Sequence, residues 1–440
     1  MPLDILTTAD LAKARNKLEL NRIIAAELNA GLLSSDINTS YPVGHIYRYV
    51  TNTTPGTTDV TTQLQAWLDL GGTVDLYAPV NDIFRVTAQL IIRSGTTLLM
   101  GPDCVILRDW GGTAGSKHTN AQFSNEHAPD MSDIIVDPGP WTPSTTDDNI
   151  YIEGGRIRPV DNTCIGVGYY LMGTKNLTMR NPVVERTHQD WAFCVGGENF
   201  SITGVRVEEN AEVFEDGVHI LYGSGRVDAD YIHSGDDCFA VGSSWNLPVD
   251  DVDITMGNFH SEKGFAIKML QAREGASAGF STPTSVIQDV RFHSGSGKAG
   301  YARNGLVQTF AAAADLLMDI TIDGVKIDAG TGTHDGTNPY GVYFQDITRL
   351  RVKNLTAKNA RRDAFYLKNC PGFELDGCIA RDSQGTSSFR ALVVEDCVGG
   401  RIIGGDYLRT LTHPVRLLGT SSVSFHGPRI RGIGNGLAGI

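Results

Sequence analysis

The sequence predicts an all-β chain wound as a parallel β-helix, with a short α-helical segment at its N-terminus. Two observations carry this. Fifty glycines and heavy use of Thr, Asn and Asp imply many turns, and hence many short strands. Alternating β-runs then open near Ile150, Leu177, Phe200, Arg226, Val252, Val290, Ile320, Leu350, Phe373, Arg401 and Val423. Most intervals are about 22 to 30 residues, the length of one three-sided coil, and a fixed period means that each unit buries its apolar face only by stacking on its neighbours. A chain of 440 residues exceeds one ordinary globular core, and an elongated repeat resolves that excess.

Taken in order, residues 1–34 carry the strongest helical pattern. Thr8 can cap a helix with Asp10 in its first turn and Gly31 near its end. Leu11, Leu18, Ala25 and Leu32 recur every seven residues, with Ala14, Asn21 and Leu28 at the other core positions. Such a seam, with one polar layer, predicts a trimeric coiled coil or an amphipathic helix packed on its own domain. Residues 35–80 read as a linker and an opening cap. Within them Thr57 to Gly72 gives a short helix and Val74 to Pro79 a strand, which together would cover the exposed edge of the first coil. Residues 81–440 form the β-helix itself, and 274–283 a loop protruding from its longest coil. Repeats such as Asn199-Phe-Ser-Ile-Thr-Gly and Asp319-Ile-Thr-Ile-Asp-Gly open on a polar residue, alternate, and close on a turn residue.

Lys plus Arg total 37 against 50 acids, a net charge of −13, which argues against nucleic acid and anionic membrane as partners. Seven scattered cysteines without CxxC spacing predict neither structural zinc nor a disulfide framework. The N-terminus lacks the basic and apolar regions of a secretory signal, so synthesis in a reducing cytosol is expected. No run reaches transmembrane length. No cofactor and no metal are expected.

The chemistry gathers in Glu215-Asp-Gly-Val-His-Ile and Asp236-Asp-Cys-Phe-Ala-Val, about twenty residues apart. If one coil closes in that distance, Glu215, Asp216, Asp236 and Asp237 stack on adjacent rungs, roughly 4.8 Å apart. Crowded carboxylates repel until one holds a proton, and a proton donor beside an acceptor suits general acid–base catalysis. Solvated turn residues explain any single pair more simply. Asp190-Trp-Ala-Phe-Cys-Val, Lys263-Gly-Phe-Ala-Ile-Lys and Asn304-Gly-Leu-Val-Gln-Thr superpose on the same pattern without a gap. Asp190, Glu215, Asp236, Lys263 and Asn304 would then form one polar stripe along the outer face. Trp191 and Trp245 flank it and are candidates for stacking on sugars, with Asp190, His260 and Lys268 as further substrate contacts. Tyr222, His219 and His233 are candidates for supporting groups.

These two acid segments resemble the Asn-Thr-Asp-Gly and Asp-Asp-Cys-Ile-Ala segments of polygalacturonase-type glycoside hydrolases. The cap and coils resemble the right-handed parallel β-helix proteins of the pectate-lyase-like superfamily. The resemblance implies Asp236 as general acid, and Asp216 with Asp237 as the base that activates water. The family's later Gly-His-Gly segment aligns with Lys263-Gly-Phe-Ala-Ile, placing Lys263 where His is expected. The basic pair that holds a uronate has no counterpart near residues 304–309, which argues against galacturonate. The order helix, linker, cap and β-helix resembles a bacteriophage tailspike or capsule depolymerase. That implies a homotrimer assembled in the host cytoplasm, carried on the virion tail, and an endo-glycosidase of bacterial surface polysaccharide such as capsule, exopolysaccharide or O-antigen. The diagonal offset of Asp236 from Asp216 favours inversion of the anomeric centre. The alternatives are a polysaccharide lyase with Lys263 as base, and a non-catalytic polysaccharide-binding fibre.

Overall fold

The structure, a computed structural model, describes residues 46–77, 83–111, 120–129, 147–188, 190–210, 215–242, 247–270, 285–299, 307–310, 316–329, 341–360, 362–381, 390–408 and 414–431. The heptad segment 8–33, Trp245, Asn304 and the loop 274–283 lie outside the described residues.

Inward-facing residues stack in three columns, one per face of the coil. The first runs from Val74 through Leu98, Ile152, Met179, Ile202, Val227 and Ile254 to Phe292 and on to Phe425. The β-runs expected from Ile150 to Val423 all fall on this face. A second column joins Phe84, Ile106, Ile157, Val184, Val207, Ile232 and Phe259. The third joins Leu90, Phe123, Tyr169, Phe193, Val218, Phe239 and Ile267. Every pairing among the described residues is parallel, so the chain is a parallel β-helix whose lumen is one continuous apolar core. Rings recur at one height: Phe123 stacks on Tyr169 and Tyr169 on Phe193, both at 5.4 Å between centroids.

The helix of the cap spans Thr61–Asp69. Asp59 starts it by accepting the Thr61 amide at 3.0 Å. Its Leu64, Trp67 and Leu68 are buried, and Trp67 stacks on Tyr49 of the single turn Ile46–Tyr49. No helix among the described residues is long and apolar enough to cross a membrane.

A second, smaller apolar cluster lies outside the lumen, on the outer side of the third face. It contains Tyr170, Met172, Trp191, Cys194, Leu221 and Tyr222. The outer surface just before the acid segments is therefore covered rather than solvated. All seven cysteines are buried thiols.

Turns are marked by Asn and Asp because these residues tolerate the left-handed region and bond along the stack. Asn176 and Asn199 have φ of 56° and 58°. The Asn199 side chain donates to Asn176 Oδ1 at 2.7 Å, and Asn176 donates to Asp148 Oδ1 at 2.9 Å. Replacing Asn176 by Ala breaks this ladder and leaves a Cβ-bearing residue in the left-handed region without compensation. The expected loss is about 1–3 kcal/mol in chemical denaturation, with Asn176→Gly recovering the backbone part. Equal stability of Asn176→Ala and the parent would show that the ladder contributes nothing.

Candidate active site

The acids sit at the corner that precedes each third-face strand. The pairing of Val218 with Phe239 fixes their height, so that Asp216 lies against Asp237 and Glu215 against Asp236. Backbone bonds close the corner: Gly217 donates to the Asp237 carbonyl at 2.8 Å, and Asp236 donates to that of Glu215 at 3.1 Å. Ser234 and Ser261, both fully buried, donate their hydroxyls to the Asp236 carbonyl at 3.0 and 2.7 Å. Gly264 closes the next rung over the acids. A Cβ there would stand 2.2 Å from Asp236 Oδ1 and 2.7 Å from Asp237 Oδ1, so this position admits no side chain.

Carboxylate oxygens of Asp216, Asp236 and Asp237 all lie within 4.8 Å of one another. Asp236 is half-buried, whereas Asp216 and Asp237 are only 7% and 2% exposed. Both buried acids are held at each oxygen. Asp216 accepts the Asp237 amide on Oδ1 at 2.8 Å and meets His219 Nε2 on Oδ2 at 2.7 Å. Asp237 accepts the Phe265 amide on Oδ1 at 2.8 Å and pairs with Lys268 Nζ on Oδ2 at 3.1 Å.

The two carboxyls are pushed in opposite directions. Burial raises Asp237, helped by the neighbouring Asp216 charge and opposed by Lys268. For Asp216 burial is again the largest influence and acts upward, but His219, Lys268 and the Asp237 amide outweigh it, leaving the group below its ordinary value. Lys268 is raised, chiefly by Asp237, so its ammonium is locked in the charged form. Two acids pulled apart in acidity beside a third that reaches solvent can divide the donor and acceptor roles of acid–base catalysis.

The sequence-based expectations divide here. Lys268 is drawn into the acid cluster, and Lys263 is not in that column. The expected gapless superposition slips by one residue: Phe239 pairs with Ile267, which puts Gly264, not Lys263, at the height of Asp236. A one-residue slip exchanges the faces. Trp191 is 4% exposed and packs flat on His219, 3.9 Å between centroids, so it has no free face for a sugar. Asp190 is buried; it accepts the Trp191 amide at 2.9 Å and faces the buried Arg108 guanidinium. Glu215 is also buried, with His188 Nδ1 at 4.0 Å. Among the described residues the stripe from Asp190 to Asp237 is therefore buried except at the half-exposed Asp236, and not a solvated face. His260 lies outside this corner, stacked on His233.

No family model matches the chain, and no curated protein does. Among solved structures it is similar to a family 28 exopolygalacturonase of Yersinia enterocolitica, at 11% identity over 87% of this chain and 76% of that one, with a TM-score of 0.48. It is similar to the Dettilon tailspike protein at 13% identity, covering 92% and 73%, with a TM-score of 0.43. PfbA, a surface adhesin of Streptococcus pneumoniae, matches at 13% identity, covering 88% and 92%, with a TM-score of 0.41. The resemblance read from the sequence has its counterparts in the first two. Likenesses this distant say nothing about chemistry, so the functional reading rests on the corner itself.

Lys268→Met tests the electrostatics directly. Breaking a buried ion pair by removing one partner costs roughly 3–5 kcal/mol. Without the ammonium, burial and Asp216 raise Asp237 further, with the Phe265 amide still opposing them. A carboxyl raised in the folded state contributes stability at low pH that is lost as pH rises through its folded value. The variant's deficit should therefore be small in acid and grow toward neutrality, as read by chemical denaturation at several pH values. A deficit independent of pH would refute the assigned charges.

Proposed function

We propose that this chain is a polysaccharide depolymerase, an endo-acting glycoside hydrolase of bacterial surface polysaccharide. The observation that carries the reading is the three-carboxylate corner, with one acid half-exposed and two buried acids driven to opposite acidities. Asp236 reaches solvent and serves as the general acid at the glycosidic oxygen. Asp216, kept anionic by His219 and the Asp237 amide, is the base, and Asp237, paired with Lys268, helps to hold the attacking water beside it. The lyase alternative, with Lys263 as base, is less favoured because Gly264 and not Lys263 stands opposite Asp236, and the lysine that does reach the acids, Lys268, is held in its charged form by the carboxylates around it. An acid cluster that needs a half-buried lysine and a buried histidine to exist is also more than a binding fibre requires. A homotrimer joined through residues 8–33 and carried on a phage tail is the assembly that fits this reading.

Digestion of a capsule and lipopolysaccharide panel should give new reducing ends without the chromophore of an unsaturated uronate. Asp236→Asn should lower that rate by about 10²- to 10⁴-fold while fold and glycan binding persist. Near-normal turnover would remove Asp236 from the reaction.

The stereochemical expectation changes its basis. The carboxylate oxygens are closer than the roughly 6.5–9.5 Å that separates acid and base in inverting enzymes, so distance alone does not favour inversion. Enclosure does. A water molecule can approach carboxylates that are 7% and 2% exposed, whereas a ring carbon cannot. Inverted product anomers are therefore expected by NMR in the first minutes of digestion. A retained configuration would turn Asp216 or Asp237 into a nucleophile.

A further inference from the structure

Outside the acid corner, the outward side chains of the second face bring two imidazoles together. His233 and His260 are partners in adjacent parallel strands, Val218–Ser234 and Val249–Ser261. Their rings lie 4.9 Å apart and within 6° of parallel. Both direct Nε2 at one carboxylate oxygen, Glu262 Oε1, at 2.9 Å from His233 and 3.7 Å from His260. Glu262 is braced by its own amide, which donates to the Ser234 carbonyl at 2.9 Å.

We infer that His233, His260 and Glu262 form a binding site for a first-row transition dication, with Zn2+ or Ni2+ as its simplest occupants. The donor set is two imidazole nitrogens and one carboxylate oxygen, all within 4.8 Å of one another. Imidazole selects these metals over magnesium or calcium, and three protein ligands leave a coordination position open to solvent. Tetrahedral zinc at about 2.0–2.1 Å from each nitrogen requires the donors to stand about 3.4 Å apart. Small rotations achieve this, because the His260 and Glu262 side chains are each 37% exposed and His233 21%.

Two other clusters of ligand-type residues fit a metal less well. Asp147, beside Glu126 and His127, already takes bonds from Asn125, Ser94 and both the amide and the ring of His127. The Asp216, Asp236 and Asp237 corner already holds Lys268 as its cation. Lys298, opposite His260 on the next rung, is exposed, so water screens its charge. Ser234 and Ser261, which directly follow the two histidines, are the residues that hold the Asp236 carbonyl. A bound ion would thus clamp the two strands that feed the acid corner.

The test is calorimetric titration of Zn2+, and separately Ni2+, into the untagged full chain after dialysis against chelator. One equivalent per chain should bind, with a rise in melting temperature. His260→Ala and Glu262→Gln should each weaken binding more than tenfold, and His127→Ala should leave it unchanged. Glu262→Gln keeps the size of the side chain, so unaltered circular dichroism in that variant separates lost ligation from misfolding. No saturable binding by the parent, binding indifferent to both His260→Ala and Glu262→Gln, or binding lost with His127→Ala would each overturn the assignment.

Discussion

Register is the constraint on which everything else in this molecule depends. The lumen is filled from wall to wall by three columns of apolar side chains, and a slip of one residue anywhere would turn a whole strand inside out. Because Val218 must sit beneath Phe239, the corners before them have no freedom in height. Asp216 and Asp237, 21 residues apart in sequence, are thereby forced together. The core does not merely support the acid cluster; it creates the repulsion that the cluster then has to manage.

That repulsion is managed locally and completely. Each buried carboxylate accepts the amide that opens the next rung: Asp216 takes that of Asp237, and Asp237 that of Phe265. This is partly a structural habit of the fold. Asp363, far along the chain, takes the Arg390 amide at 2.7 Å in the same way, and burial raises it too. What separates the corner from that habit is the company its acids keep. Among the described residues Asp363 has Arg390, Arg362 and Arg416 as charged neighbours, whereas Asp216 and Asp237 lie beside a third acid, a histidine clamped under a tryptophan, and a half-buried lysine. A turn cap needs none of these.

The period, the three-sided coil and the apolar columns were legible in the sequence because inward residues repeat their chemistry rung after rung. The stacking of Asp216 on Asp237 was legible for the same reason, since both stand immediately before a short β-run. The place of the lysines was not. The coil from Phe239 to Ile267 carries an additional residue in its corner, so a gapless superposition sets Lys263 opposite Asp236 where the backbone pairing puts Gly264, while Lys268, expected as a substrate contact, stands opposite Ala240 and reaches Asp237 through its side chain. Whether Trp191 faces a sugar or is packed away could not be read, because nothing in a linear pattern tells that a second apolar cluster covers the outer side of the third face. The pairing of His233 with His260 could have been read, because both stand immediately before a Ser and both Ser–Gly or Ser–Glu steps open an acid-bearing corner.

Burying two carboxylates is expensive, and a protein that merely needed turns could use Asn at the same corner. Here the expense falls on folding instead of on the reaction. His219, Lys268 and two backbone amides are in place before any ligand arrives, because the strands that carry them are pinned by the lumen. Dipoles and charges fixed in advance need no reorganisation when charge moves, which is the largest contribution a protein site makes to lowering a barrier. Of the three acids Asp236 is the half-exposed one, and on the proposed reading it is the group that hands a proton to a bound molecule. On the proposed reading the fold immobilises the acceptor side and leaves the donor half-exposed, an asymmetry that follows from the order Asp236 then Asp237 at a single corner.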